Sequence, residues 1–426
     1  MKRKTINSGI PWIGEIPEGW GVHRIKHHFS VISGATPKSE NMAYWDGDIP
    51  WITPADFKTE DKYVSKGRRN LTEEGYASCG TTIIPKGSIV FSKRAPVGSV
   101  AISTNKLCTN QGCLSCVAKD GSNVEYFYFL MSVLTEQFDL VSTGTTFKEI
   151  ALDVFCNFEL PYPSEQEQNS IVSFLNTECA RIDAVIEKTR ASIEEYKKLK
   201  QAVITEAVTK GIRPGRKMKD SGIEWIGEIP EEWELSTIGK KIVFEGGSQP
   251  PLTRFIHEPR EGYIRLIQNR DYKTDEYITY VPIDSVYKFC DEEDVMIGRY
   301  GPPTFVLHRG LKGAYNVALM KAIPIGIERE WMYFFLQEET LISYIDSFSK
   351  RAAGQDGVNP QILKKYPLPL PPNTEQQEIA EYLHVKEKEF RDIISKKELL
   401  ISELNTYKKA IIFEYVTGKK EVSYVR

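Results

Sequence analysis

No run of about 18 or more apolar residues occurs in this chain, so no membrane-spanning helix is expected. The start, MKRKTINSGIPWIG, is basic but has no apolar stretch behind it and does not read as a secretory signal. Cysteine is sparse and odd in number: Cys79, Cys108, Cys113, Cys116, Cys156, Cys179 and Cys290 follow no disulfide-framework spacing. They are expected as reduced thiols in a cytoplasmic protein. An excess of basic residues is missing too, since the formal net charge is −3. Such a balance supplies no global attraction to nucleic acid, so any contact with DNA must come from local basic patches or from a positively charged partner.

Catalytic motifs are absent as well. No Walker A pattern occurs, no GxGxxG follows a strand, and the absence of any Pro-Asp pair argues against a PD…(D/E)xK nuclease. The run GPPT at 301–304 lacks the polar side chain and the aromatic that an amino-methyltransferase loop needs, and reads as a turn. CLSC (Cys113, Cys116) has CxxC spacing but no second pair, and in a strand positions i and i+3 face opposite sides. No metal site is expected there. HRIKHH (His23, His27, His28) carries no HExxH carboxylate and is expected at the surface. Nothing assembles a catalytic centre. The chain is expected to be non-enzymatic and to bind no cofactor, with any enzymology belonging to a partner.

What the sequence does have is duplication, and repeats decide the fold before anything else. SGIPWIGEIPEGW begins at Ser8 and SGIEWIGEIPEEW at Ser221, a displacement of half the 426-residue chain. ITPADF at Ile52 matches IQNRDY at Ile267, and SIVFSKRAP at Ser88 matches DVMIGRYGP at Asp294. Thr109–Asn110 matches Tyr315–Asn316, YFYFL at Tyr126 matches MYFFL at Met332, and LPYPSEQEQNSIVSFL at Leu160 matches LPLPPNTEQQEIAEYL at Leu368.

Each copy has two parts. The first is rich in Gly, Pro and aromatics, with short β-branched runs that read as strands. It also carries one helical stretch, VEYFYFLMSVLTEQFDLV or EREWMYFFLQEETLISYIDSF. The second part contains no Pro or Gly over 165–209 and again over 375–417. Its apolar positions recur at spacings of three and four: Ile171, Leu175, Ile182, Val185, Tyr196, Leu199 and Val203, then Ile379, Leu383, Phe390, Ile393, Leu404, Tyr407 and Ile411. Thr189 and Lys397 are among the polar residues that interrupt these stripes. Sustained a/d spacing predicts a coiled-coil seam. Ser164 with Glu167, and Thr374 with Gln377, read as capping boxes, and Gly211 and Gly418 stand where helix-terminating glycines belong. Roughly 45 residues would make a rod near 65 Å long, and its stripe needs a partner, for which the other copy is the obvious choice. The Gly/Pro-containing segment 211–222 reads as a basic connector. The expected class is α+β: two similar mixed α/β domains, each followed by a long helix, with the helices paired as an antiparallel coiled coil.

Polar residues at matching places mark candidate DNA-binding positions. They are Thr53 and Lys58 in ITPADFK, Gln268, Asn269 and Arg270 in IQNRDYK, Lys93 and Arg94 in FSKRAP, and Arg299 and Tyr300 in IGRYGP. Gln and Asn can read adenine bidentately, and Arg can read guanine. Lys66, Arg68 and Arg69 suit phosphate or plain solvent. From architecture alone, the chain reads more readily as a non-DNA-binding coiled-coil scaffold than as a reader of duplex DNA, and a stand-alone DNA nuclease or methyltransferase is the remaining alternative.

The doubled W-I-G-E-I-P-E-x-W, the run SGATPKSENMAYWDGDIPWITPADF from Ser33, and the P-x-P…EQ…I…L entry into a long helix together resemble the DNA-specificity subunit of type I restriction–modification systems. The resemblance implies target-recognition domains at 1–160 and 213–368 and long helices at 161–212 and 369–426. Each domain would read one half of a split duplex-DNA target. The helices would space the readers and dock two methyltransferase subunits, with motor–nuclease restriction subunits joining for cleavage. S-adenosylmethionine, ATP and magnesium would belong to those partners. The two copies differ between TGTTFKEIALDVF and RAAGQDGVNPQILKKY, which leaves Thr146 and Lys148 as candidates in a loop that approaches DNA in the family.

Overall fold

The structure is a computed structural model describing residues 3–57, 61–94, 96–144, 148–300, 305–349 and 357–422. Lys58, Thr146 and the GPPT turn lie outside the described residues. The chain forms two compact units, one of residues 1–189 with 399–426 and one of residues 190–398. Each unit therefore combines one globular copy with part of both long helices.

Each copy opens on the same hairpin. Thr5–Asn7 pairs with Glu15–Pro17, and Met218–Asp220 pairs with Glu228–Pro230. The repeated Ser-Gly-Ile explains itself there. The N–H of Ser8 donates to Gly14 O (2.8 Å) while its hydroxyl accepts from Ile10 N–H (3.0 Å). Ser221 does the same with Gly227 (3.0 Å) and Ile223 (3.1 Å). The segment expected as a connector thus holds the second copy's first strand, because Lys217–Asp220 must lie opposite Glu228–Glu231 to close that hairpin.

The globular part of the first unit has a five-stranded sheet in the order Phe29–Ser33, Cys113–Ala118, Ile89–Ser92, Val100–Ser103 and Tyr63–Val64. A second sheet orders Cys108–Thr109, Trp45–Ile52 and Arg69–Leu71. The second unit repeats this plan. One sheet orders Ile242–Gly246, Leu319–Pro324, Val295–Gly298 and Val306–His308; the other orders Tyr280–Pro282, Tyr263–Ile267, Gly313–Tyr315 and Phe289–Cys290. Each expected single helix is two: Val124–Ser132 and Thr135–Leu140, then Arg329–Phe335 and Glu339–Ser349. In the second unit the break is a fresh cap, where the buried Glu338 carboxylate accepts from the N–H groups of Thr340 (2.9 Å) and Leu341 (2.8 Å). Alternation along Cys113–Ala118 sends Cys113 into one apolar cluster with Ile52 and Cys116 into another with Phe127.

The long helices run Glu165–Lys210 and Asn373–Val416. In the first unit Phe174 packs on Tyr415 (rings 4.4 Å apart) and Asp183 pairs with Lys408 (2.7 Å). In the second, Tyr196 faces Phe390 (6.4 Å) and Lys200 pairs with Glu387 (2.6 Å). Numbers rise on one helix as they fall on the other, so the pairing in each unit is antiparallel. The seam differs from the expected stripe. From Ile182 the step of four lands on buried Ile186, and the next steps give Thr189 and Ile193, leaving Val185 and Leu199 exposed. On the second helix the steps from Ile401 give Leu404 and Lys408, leaving Tyr407 exposed. Thr189 sits in the seam with its hydroxyl donating to Val185 O (2.8 Å). Ser164 caps the first helix by accepting from Glu167 N–H (3.3 Å). The expected Thr374–Gln377 box does not form: the second helix already begins at Asn373, and the Gln377 amide donates to Glu328 (3.0 Å).

The doubled tryptophan and the Glu-Gln of each helix start meet. Trp20 Nε1 donates to Glu167 (2.8 Å), which also binds Arg3 (2.6 Å). Trp233 Nε1 donates to Glu375 (3.0 Å), which also binds Arg216. The neighbouring glutamines, Gln168 and Gln376, donate to Pro163 O (3.0 Å) and Pro371 O (2.8 Å). Gly211 and Gly418 terminate the helices at φ +77° and +73°. A Cβ at Gly418 would fall 2.4 Å from Pro17 Cδ, so only glycine permits that helix end to seat against its hairpin.

Candidate nucleic-acid interface

In the first unit, strands Trp45–Ile52 and Cys108–Thr109 are parallel, with Thr109 opposite Ile52, so both chains leave the sheet at one edge. Beyond Ile52 the backbone makes a single turn, Pro54–Asp56. Asp56 fixes this turn by accepting from the N–H (2.8 Å) and hydroxyl (2.7 Å) of Thr53 and from Arg68 N–H (2.9 Å). Beyond Thr109, Asn110 donates its N–H to Ile52 O (2.9 Å) and accepts from Gly112 N–H (2.9 Å). Gly112 O in turn accepts from Lys93 N–H (2.9 Å). A further loop closes on the same point, where Ala35 N–H reaches Thr109 O (3.0 Å).

The second unit builds the same junction. Tyr263–Ile267 and Gly313–Tyr315 are parallel, with Tyr315 opposite Ile267. Asp271 accepts from Gln268 N–H (3.0 Å), Asn316 donates to Ile267 O (3.0 Å), Ala318 O accepts from Arg299 N–H (2.8 Å), and Ser248 N–H reaches Tyr315 O (3.1 Å). Three of the matched motif pairs thus mark segments that converge. The aspartate and asparagine repeated in both copies hold the backbone, which leaves the neighbouring side chains to differ.

They do differ. Lys93 and Arg94 both face Glu149, at 2.7 and 3.6 Å, and Arg94 pairs with Glu149 as an isolated antiparallel bridge. The corresponding bridge in the second unit joins Tyr300 to Gly357, and no described carboxylate pairs with Arg299 there. Arg299 lies over the Tyr300 ring (5.2 Å), and its buried Nε has no acceptor among the described residues. Gln268 donates to the Thr279 hydroxyl (3.3 Å), and exposed Arg270 lies over Tyr277 (5.2 Å). Arg69 lies over Trp45 (4.2 Å) and Arg68 is exposed beside the Thr53 turn, donating to Ala55 O (3.0 Å), while Lys148 pairs with Asp139.

Besides Glu149, three residues at these junctions escaped the sequence reading. Half-buried Thr36 donates to exposed Gln111, and His308 bonds Asn269 (2.7 Å). Gln111 directly follows the matched Thr-Asn pair, a signal that was available. His308 arrives by strand pairing, opposite Met296, and no local pattern announces it.

The histidines expected at the surface are mostly not there. His28 is buried and stacked on Tyr162 (4.4 Å), with His23 bonded to it (2.9 Å), and only His27 is exposed. Burial, then the neighbouring His23, lowers the His28 pKa to about 4. Burial also raises the Cys108 thiol to about 12 and lifts those of Cys113 and Cys116 further. Among the described residues no three His, Cys, Asp or Glu side chains gather as a metal-binding set.

The profile of the type I restriction modification DNA specificity domain matches residues 17–195 and again residues 230–403. The chain belongs to that family. Both matches begin on the doubled tryptophan hairpin or just after it and end inside a long helix. The type I restriction enzyme MjaIX specificity subunit of Methanocaldococcus jannaschii is 37% identical over 253 residues, spanning 58% of this chain and 57% of that protein. The MjaVIII specificity subunit of the same organism is 22% identical over 439 residues, spanning 96% of this chain and 94% of the other. A chain solved for the complex assembly and conformational transition of the type I R-M system shares the fold, with a TM-score of 0.69 at 17% identity over 95% of this chain and 99% of that one. No helix among the described residues is long and apolar enough to cross a membrane.

Proposed function

We propose that this specificity subunit reads a split duplex-DNA sequence, one half at each four-segment junction, and that its long helices dock two methyltransferase subunits and, for cleavage, motor–nuclease subunits. It is the non-catalytic component of such a complex. The observation that carries this reading is the junction itself, built twice with the same backbone bonds around Asn110 and Asn316 but with different outward side chains. One frame with two chemistries suits two readers of unlike sequence. Arg68, Arg69 and Arg270 supply phosphate-directed charge, which sets register and salt dependence, while base contacts set sequence. Methylating a base within a duplex requires extruding it. A subunit that grips the flanking bases can hold the duplex while a methyltransferase partner does so. The net charge of −3 implies that tight binding needs that partner.

The test is co-expression with the methyltransferase subunit and sequencing of modified bases. A methylated motif in two separated parts is expected. A continuous motif would overturn the two-reader assignment. Failure of the assembled complex to retard any duplex in a gel would leave a protein-binding scaffold as the answer.

A further inference from the structure

The two junctions are not chemically alike, and the second carries a device that the first lacks. His308, on the strand Val306–His308, stacks flat on Tyr272 (4.3 Å, 9° between planes) and bonds the side-chain oxygen of Asn269 at 2.7 Å. The Asn269 amide also lies against Gly298, where a Cβ would fall 2.8 Å from Oδ1. Strand pairing places Ala101 in the first unit where His308 stands in the second, since Ala101 opposes Val90 as His308 opposes Met296. The matched motif places Pro54 at Asn269 and Phe57 at Tyr272. All three parts of the device are therefore particular to the second copy. Burial, with Lys273 nearby, lowers the His308 pKa to about 4, so its ring is neutral at pH 7 and one ring nitrogen carries a proton to donate.

An asparagine reads adenine with both ends of its amide, accepting from N6 and donating to N7. With one lone pair of its oxygen taken by His308 and the same oxygen packed against Gly298, Asn269 presents its NH2 group. Arg299, which follows Gly298, can only donate, and it meets no acceptor among the described residues. We propose that His308 is a positioning residue that makes the second junction a donor-only reading head, Asn269 with Arg299, and that the half-site it reads contains guanine, the base with two acceptors and no donor on its major-groove edge. This rests on the DNA-reading proposal above.

The assembled complex with its methyltransferase partner is the material for the test, read by sequencing of methylated bases. The wild type should show guanine in one half-site. His308→Leu frees the Asn269 oxygen and should admit adenine at a guanine position, shifting the guanine-to-adenine preference by roughly tenfold or more, with the other half-site unchanged as an internal control. His308→Gln, which keeps a donor, should restore the guanine preference. A wild-type half-site without guanine, or a His308→Leu motif identical to wild type, would overturn the inference. A second measurement needs no variant. Replacing the half-site guanine by 7-deazaguanine removes one acceptor and should weaken binding of the wild-type complex by about tenfold, whereas unchanged binding would overturn the donor-only head. Absence of any split methylated motif from the wild-type complex would instead defeat the DNA-reading proposal itself.

Discussion

Trp233 donates its indole N–H to Glu375 across 3.0 Å, inside the first turn of the second long helix. The same carboxylate holds Arg216, whose guanidinium lies 5.7 Å from the Trp233 ring. The counterpart in the first unit, Trp20 with Glu167 and Arg3, is wetter: the Glu167 side chain is 26% exposed and that of Glu375 only 3%. Removing one partner of a buried pair strands the other, whereas an open pair contributes little. Glu375→Ala should therefore lower stability by ~3 kcal/mol, and Glu167→Ala by ~1 kcal/mol. Chemical denaturation of the two variants side by side checks the ranking.

The helix seam offers a second test. Ile186 is buried and Val185, one residue earlier, is exposed. Ile186→Ala should cost ~2–4 kcal/mol, while Val185→Ala should stay within ~0.5 kcal/mol. Equal losses, measured by thermal unfolding, would mean that the seam runs elsewhere.

Acid should destabilise the first unit. His28 titrates near 4 when folded against an ordinary 6.5, so between those values the unfolded chain binds more protons. The contribution is complete above pH 6.5 and is lost as pH falls toward 4. The charged groups facing the ring reinforce this, since His23, His27 and Lys119 all oppose its protonation. His28→Gln should flatten the dependence of the melting temperature on pH across that window, which calorimetry at several pH values would show.

Charge at the two junctions should separate in salt titrations of the assembled complex. Glu149 occupies Lys93 and Arg94, so Glu149→Ala should release them to phosphates and steepen the fall of binding with log salt by about one to two. Arg299 has no such partner among the described residues, and Arg299→Ala should weaken binding outright. Fluorescence anisotropy at stepped salt concentration measures both.

What was legible in the sequence was what repeats. The glutamates at the helix starts, the doubled tryptophans and the capping glycines recur at fixed positions because each copy needs the same bonds to close its hairpin onto a helix. The polar pattern at Thr53 and Gln268 likewise located the converging loops. The helix stripe was read less well: steps of three and four are both apolar at Val185 and Ile186, and only the facing helix decides between them. His308 and Glu149 were invisible for a related reason. Each reaches its partner through a pairing between distant segments, and neither belongs to a periodic pattern. The buried His28 misled because polarity suggested solvent, whereas its flat ring stacks on Tyr162 and finds Ser122 as a partner at 3.3 Å.

The second unit is one unbroken stretch, 190–398, whereas the first is assembled from 1–189 and 399–426. On the ribosome, the lobe that is started first therefore becomes the one finished last. Until the closing segment emerges, Tyr126 lacks one of its two acceptors, Val416 O at 3.0 Å, and the apolar cluster around Leu175 lacks Ile411, Ile412 and Val416. A released chain truncated just past residue 398 would carry every residue of the second lobe and an N-terminal lobe still open to chaperones and proteases.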